Sequence, residues 1–227
     1  MSSKCAFNSN QYFPSIQSPR RAEMSFGGCV LAMQGNECVA IATDHRLGCG
    51  SNPGQRIAGD FKKVFKVGPR MFLGLTGFLA DVNTVWDRLQ YRQNLYEIKE
   101  SCEMTPEAFT TMLSNLLYEH RFGPYHVQAV VAALDPLTLR PYICNIDLIG
   151  APTKKDSFVF CGSCDKQLCG MCDALWTPNL DPEQLFVTMS QTLTHAFHRN
   201  ITCGWGATVF VLDKDKIMER VIDVRKD

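Results

Sequence analysis

The hydrophobic pattern of this chain changes twice from short, turn-bounded apolar runs to the spacing of amphipathic helices and back. Short apolar segments bounded by turn residues predict strands, whereas apolar residues spaced three and four apart predict amphipathic helices. Asn52-Pro53-Gly54 predicts a loop in the first group of strands. The predicted order is four strands (29–33, 38–42, 63–67, 71–75), two helices (79–96, 105–117), three strands (127–134, 142–149, 158–161), two helices (168–176, 182–197) and two strands (207–212, 217–224).

This order predicts the fold class. Helices come in pairs and strands follow one another through short turns, so the chain does not match the single alternation of a parallel βαβ sheet. Paired amphipathic helices that cover groups of buried strands indicate an α+β protein, a four-layer αββα sandwich. We expect a polar N-terminal tail over residues 1–23 and a single domain over 24–227.

Composition excludes several classes of function. The formal net charge is zero, which gives no electrostatic reason to expect nucleic acid as a partner. No apolar run approaches the roughly 20 residues needed to cross a bilayer, so a membrane role is not expected. The 11 cysteines accompany no secretory signal, which favours a reducing compartment, the cytoplasm or the nucleus.

Four of the cysteines have a spacing that resembles a metal clip. Cys161, Cys164, Cys169 and Cys172 form a C-x2-C-x4-C-x2-C pattern. The pattern runs from the end of a predicted strand into an amphipathic helix, where Cys172 would share the core-facing side. We therefore expect no metal and no cofactor.

Two charged residues lie in apolar surroundings that predict burial. Asp44 directly follows the segment Val39–Thr43, and Lys63 lies between Phe61 and Phe65. Isolated buried charges are costly, so the two are expected to pair. The pair is either a structural salt bridge or part of a site in which it tunes the pKa of a nucleophile.

Several blocks of sequence resemble the β-type subunits of the proteasome core particle, most closely their non-catalytic type-3 branch. The resemblance extends from about Met24 to the C-terminus and implies the αββα sandwich of N-terminal nucleophile hydrolases. Its most specific blocks are GGCVLAM (27–33), CVAIATDHR (38–46), DFKKVF (60–65), LLYEHRFGPY (116–125) and LWTPNLDP (175–182).

The resemblance also implies what each residue of the family's site has become. Active members use an N-terminal threonine whose hydroxyl attacks the peptide and whose α-amine is the base. Gly28 stands at the position of that threonine, so no catalytic residue is expected. Asp44, Lys63 and Ser163 match the family's supporting residues, whereas Asn200 replaces an aspartate and Cys203 replaces a serine.

An alternative is an active hydrolase that uses Cys29 after cleavage at Gly28. A shift of one residue along a strand turns the side chain to the opposite face of the sheet. Cys29 is therefore expected to point away from Lys63, which argues against this alternative.

The implied function is that of a structural subunit in ATP- and ubiquitin-linked protein degradation. The implied partners are other α- and β-type proteasome subunits, arranged in stacked seven-membered rings. Asp147 matches a position from which type-3 subunits reach the substrate pocket of a neighbouring beta type-2 subunit with trypsin-like activity. The open alternative is that Asp147 only caps a turn.

Overall fold

Two antiparallel sheets of five strands each form the centre of the protein. The structure is a computed structural model that describes residues 28–49, 52–136 and 138–224. In chain order the elements are β1 (Cys29–Gln34), β2 (Val39–Asp44), β3 (Leu47–Cys49), β4 (Asn52–Ala58), β5 (Val64–Gly68), β6 (Met71–Gly77), α1 (Leu79–Glu100), α2 (Pro106–Glu119), β7 (Val127–Leu134), β8 (Pro141–Ile146), β9 (Pro152–Lys154), β10 (Phe158–Gly162), α3 (Asp165–Leu175), α4 (Pro182–His198), β11 (Ala207–Leu212) and β12 (Ile217–Ile222).

The first sheet has the strand order β10-β1-β2-β11-β12, and the second has the order β5-β6-β7-β8-β9. Helices α3 and α4 pack on the first sheet, and α1 and α2 pack on the second. A third apolar cluster fills the space between the two sheets. The predicted α+β class and four-layer αββα sandwich are therefore confirmed.

Strand β1 shows why the apolar segments are continuous rather than alternating. Cys29, Leu31 and Met33 belong to the core under α3 and α4, whereas Val30 and Ala32 belong to the core between the sheets. Both faces of the strand are covered, so both sets of side chains are apolar. The antiparallel pairing of β1 with β2 and with β10 places this strand inside the sheet.

The predicted loop at Asn52-Pro53-Gly54 was wrong, because β4 begins at Asn52 and pairs with β3 in a separate two-stranded sheet. Backbone pairing decides this segment, and proline is tolerated in a strand that has an open edge. The short strands β3 and β9 were also missed. Strands 142–149 and 217–224 were predicted too long, since β8 ends at Ile146 and β12 at Ile222.

The predicted tail over residues 1–23 lies outside the described residues, and the boundary of the single domain stays a prediction. None of the helices in the described ranges combines the length and the apolar character that a membrane span requires.

Candidate functional site

Four chain segments meet at one end of the first sheet. Gly28 directly precedes β1, Asp44 ends β2, Ser163 directly follows β10, and Ala207 opposite Asp44 begins β11. Because neighbouring strands run antiparallel, these four strand ends lie at the same end of the sheet. Residues that are distant in sequence therefore surround Gly28.

A buried ion pair lies beneath Gly28. Lys63 Nζ is 2.9 Å from Asp44 Oδ1 and also donates to the backbone oxygens of Asp44, at 2.8 Å, and Arg46, at 2.9 Å. The ammonium group thus has three acceptors for its three protons. The side chains of Asp44 and Lys63 are 0% and 3% exposed, so the pair is desolvated.

Backbone amides complete the surroundings of the Asp44 carboxylate. Cys29 N donates to Oδ1 at 2.9 Å, and Gly204 N donates to Oδ2 at 3.3 Å. The carboxylate therefore links the start of β1, Lys63 and the loop before β11. The pairing of Asp44 with Lys63 was predicted from the sequence. The two amide donors were not, because a backbone N–H belongs to every residue except proline and gives no signal in the sequence.

Gly28 fills a place that has no room for a side chain. Its φ is +119°, in the region that favours glycine, and a Cβ atom there would lie 2.4 Å from Lys63 Cε and 2.9 Å from Nζ. Contacts this short require atoms to move, and three hydrogen bonds hold the end of Lys63 in place. A side chain at position 28 would therefore have to displace the end of Lys63.

Ser163 lies on the other side of Gly28 and contacts its backbone. Ser163 N donates to Gly28 O at 2.9 Å, and Gly28 N donates to Ser163 Oγ at 3.2 Å. Gly28 takes part in these two hydrogen bonds through its backbone N–H and its backbone carbonyl. Ser163 thus fixes the backbone at the start of β1.

The remaining predicted site residues surround Ser163. Asn200 Nδ2 donates to Ser163 O at 3.0 Å, and Cys203 Sγ lies 3.2 Å from Ser163 Oγ. Thr202, which sequence reasoning missed, has its Oγ1 2.9 Å from Ser163 Oγ and 2.6 Å from Asn200 Oδ1. The structure therefore brings together Gly28, Asp44, Lys63, Ser163, Asn200 and Cys203.

The Cys29 thiol lies in the core under α3 and α4, whereas a Cβ atom at the preceding Gly28 would contact Lys63. Hydrogen bonding with Cys164 and Cys203, together with burial, raises the pKa of Cys29 well above its ordinary value. Nucleophilic attack by cysteine requires the thiolate, so a thiol held in the protonated form is a poor nucleophile. The geometry does not favour the Cys29 alternative.

Asp147 lies in the turn that follows β8. Its Oδ1 accepts hydrogen bonds from Ile149 N at 3.0 Å and from Ala151 N at 2.7 Å, so the carboxylate does cap its own turn. The side chain is nevertheless only half-buried. This geometry supports the capping role directly, and the pocket role stays a prediction.

The four cysteines with metal-like spacing point in different directions. Cys161 lies between the sheets, Cys164 and Cys172 face the helix-side core, and Cys169 is exposed. Among the residues that the structure describes, no group of three or more potential ligands is arranged to hold a metal ion.

The buried carboxylate predicts an unusual pH dependence of stability. Burial raises the pKa of Asp44 to about 6, although Lys63 and the hydrogen bond from Cys29 act in the opposite direction. In the unfolded chain an aspartate titrates near a pKa of about 3.9. Between these values the folded protein holds a proton that the unfolded chain has lost, so stability falls as pH rises.

We expect this group alone to remove about 3 kcal/mol of unfolding free energy between about pH 4 and pH 6. The measurement is urea unfolding across this range for the wild type and for Asp44→Asn, whose side chain does not titrate. The contributions of the other titratable groups cancel when the unfolding free energies of the two proteins are subtracted. Asp156→Asn, at an exposed position, is the control. A difference that stays constant with pH would contradict the raised pKa.

Comparison with known proteins gives one consistent result. A family model described as "Proteasome subunit" matches residues 24–212. Over 201 residues, 88% of this chain, the sequence is 57% identical to proteasome subunit beta type-3 of Drosophila melanogaster, of which 97% is covered. It is 44% identical to the protein of that name from Saccharomyces cerevisiae, with 96% covered, and 41% identical to that from Caenorhabditis elegans, with 97% covered.

Proposed function

Because this chain belongs to the proteasome subunit family, we propose that it is a non-catalytic β subunit, which builds the core particle and cuts no peptide itself. The observation that carries the proposal is Gly28. It has no side chain and therefore no hydroxyl, and a Cβ atom at this position would lie 2.4 Å from Lys63 Cε.

The rest of the site supports the same conclusion. Asn200 supplies an amide where the family's active members have a carboxylate, so one negative charge beside the α-amine is missing. The Asp44–Lys63 pair remains, but its contacts are structural: they join β1, β2 and the loop at Gly204. The site has kept the interactions that support the fold and lacks the group that would perform chemistry.

The proposed setting is the core particle of ATP- and ubiquitin-linked protein degradation in the cytoplasm and nucleus. There the chain would assemble with α- and β-type subunits in stacked seven-membered rings, next to a beta type-2 subunit. The support is the identity of 40–57% with beta type-3 subunits of several organisms over most of the chain.

The proposal can be tested on the native assembly. The tagged chain is purified with its partners, treated with an electrophilic peptide probe for N-terminal nucleophiles, and its intact mass is measured. We expect labelled neighbours, no label on this chain, and a mass that includes residues before Gly28. A labelled chain beginning at Cys29, or migration only as a free monomer or dimer, would overturn the proposal.

The role of Asp147 in a neighbour's pocket gives a separate prediction. In the assembly, Asp147→Asn should raise the KM for peptides with a basic residue by about fivefold, on the order of 1 kcal/mol, with little change in kcat. Asparagine retains the acceptor oxygen used by Ile149 N and Ala151 N, so the turn is preserved. The control substrates are peptides in which an apolar residue replaces the basic one. An equal change in KM for both kinds of peptide would mean that Asp147 acts only as a turn cap.

A further inference from the structure

Three buried thiols converge behind Gly28, where the proposed function uses none of them. Cys29 is the first residue of β1, Cys164 is the N-cap of α3, and Cys203 lies in the loop between α4 and β11. All three are free and belong to the same core cluster. Their convergence is therefore a property of the folded chain, because they come from three different elements.

The contacts of Cys203 bring it close to Cys164. Cys203 Sγ lies 3.2 Å from the Oγ of Ser163, the residue that directly precedes Cys164, and 3.8 Å from Thr202 Oγ1. Donation from Cys164 and from the other neighbours lowers the pKa of Cys203, whereas the pKa of Cys164 is raised by its bond to Cys203. This direction gives Cys203 more thiolate character than Cys29 or Cys164, and the thiolate is the form of cysteine that reacts with an oxidant.

Cys203 is also the thiol that small molecules can reach. It lines a groove formed with segment 197–201 and Gly204, and two exposed basic residues, His198 and Arg199, lie along the same groove. Cys29 and Cys164 are fully buried, whereas Cys203 retains 6% exposure. A hydroperoxide can therefore approach Cys203 from the groove, whereas Cys164 lies in the core.

Backbone context distinguishes the two possible partners of Cys203. Cys29 pairs with Gly162 of β10, its carbonyl oxygen accepts a hydrogen bond from Thr43 Oγ1 of β2, and its amide donates to Asp44. Cys164 and Cys203 lie outside the strands, at a helix N-terminus and in a loop, where the small adjustments that disulfide geometry requires meet less resistance. Cys164 is therefore the better resolving thiol.

We propose that Cys203 is a site of oxidation by hydroperoxides and that it forms a reversible disulfide with Cys164. With hydrogen peroxide, the Cys203 thiolate attacks one oxygen, the O–O bond breaks, and the sulfur is oxidised to sulfenic acid while the other oxygen leaves as hydroxide and is protonated to water. The Cys164 sulfur then attacks the sulfenic sulfur, the S–O bond breaks, and a second water leaves. Overall, two thiols and one hydrogen peroxide give one disulfide and two waters.

The test uses the full chain in its native assembly, purified under reducing conditions and then treated with hydrogen peroxide. Free thiols are blocked, and the chain is digested without reduction for peptide mapping by mass spectrometry. We expect a peptide pair joined through Cys164 and Cys203 that has lost two hydrogen atoms and separates again with dithiothreitol. The same linkage must be absent from Cys203→Ser. It must be present in Cys169→Ser, which removes an exposed thiol from α3, the helix that Cys164 precedes.

Three results would overturn the inference: no linkage at peroxide levels that already oxidise the exposed Cys102 and Cys169, a linkage of Cys203 to Cys29, or a linkage that survives dithiothreitol. The wild-type mapping is decisive by itself if either variant fails to assemble. The outcome does not depend on whether the subunit is catalytic, so the inference and the proposed function fail independently.

Discussion

Replacing Lys63 by methionine is expected to lower the free energy of unfolding by about 3–5 kcal/mol near neutral pH, because the Asp44 carboxyl would have to stay buried without its counter-charge or take up a proton. Three hydrogen bonds from the ammonium group would be lost at the same time, including those to the backbone oxygens of Asp44 and Arg46. Urea or thermal unfolding of the isolated chain measures the effect.

Two further variants make this measurement specific. Lys62→Met removes the adjacent, exposed lysine and should change the unfolding free energy by less than about 0.5 kcal/mol. The double variant Asp44→Asn, Lys63→Met removes both charges, so it should be more stable than Lys63→Met alone. If Lys63→Met behaved like Lys62→Met, the buried pair would contribute nothing to stability.

Introducing the missing nucleophile by Gly28→Thr should produce no peptidase activity and should destabilise the chain. The positive φ costs about 1–3 kcal/mol for a residue with a Cβ. The new Cβ would also lie 2.4 Å from Lys63 Cε, so the lysine would have to leave its acceptors. Displacing Lys63 should cost about as much as removing it, which makes this the most damaging of the substitutions considered.

The assay uses the assembled particle with the nucleophiles of the neighbouring subunits disabled, and unfolding is measured on the isolated chain. Gly28→Ala is the matched control, since it imposes the same backbone strain and the same contact without a hydroxyl. We expect both variants to be inactive and similarly destabilised. Activity in the threonine variant alone would show that Asn200 and the position of Lys63 still permit catalysis.

Long periodic segments made the fold predictable, whereas short ones did not. Strand β7 and strand β11 were predicted with the bounds that the structure has, because their apolar runs end sharply at turn residues. Strands β3 and β9 have three residues each, too few to show a period. Strand β4 begins with residues typical of turns, and only its pairing with β3 makes it a strand.

The site shows a similar division. The pairing of Asp44 with Lys63 was predicted because a charge in apolar surroundings is costly unless an opposite charge lies beside it. Thr202 was missed because a lone threonine in a loop carries no signal until its hydroxyl is seen beside Ser163. The close approach of Lys63 to Gly28 could not be predicted, since it depends on the direction of a lysine side chain from the segment that precedes β5.

The strand order of the two sheets has a consequence for the way the chain is made. In the second sheet all five strands follow one another along the chain, so they can pair as they leave the ribosome. In the first sheet the β1–β2 hairpin is flanked by β10 and β11, which are synthesised more than a hundred residues later. This hairpin, whose strands are almost entirely buried in the folded protein, therefore has both edges unpaired while more than a hundred further residues are synthesised. During that interval its open edges expose it to aggregation.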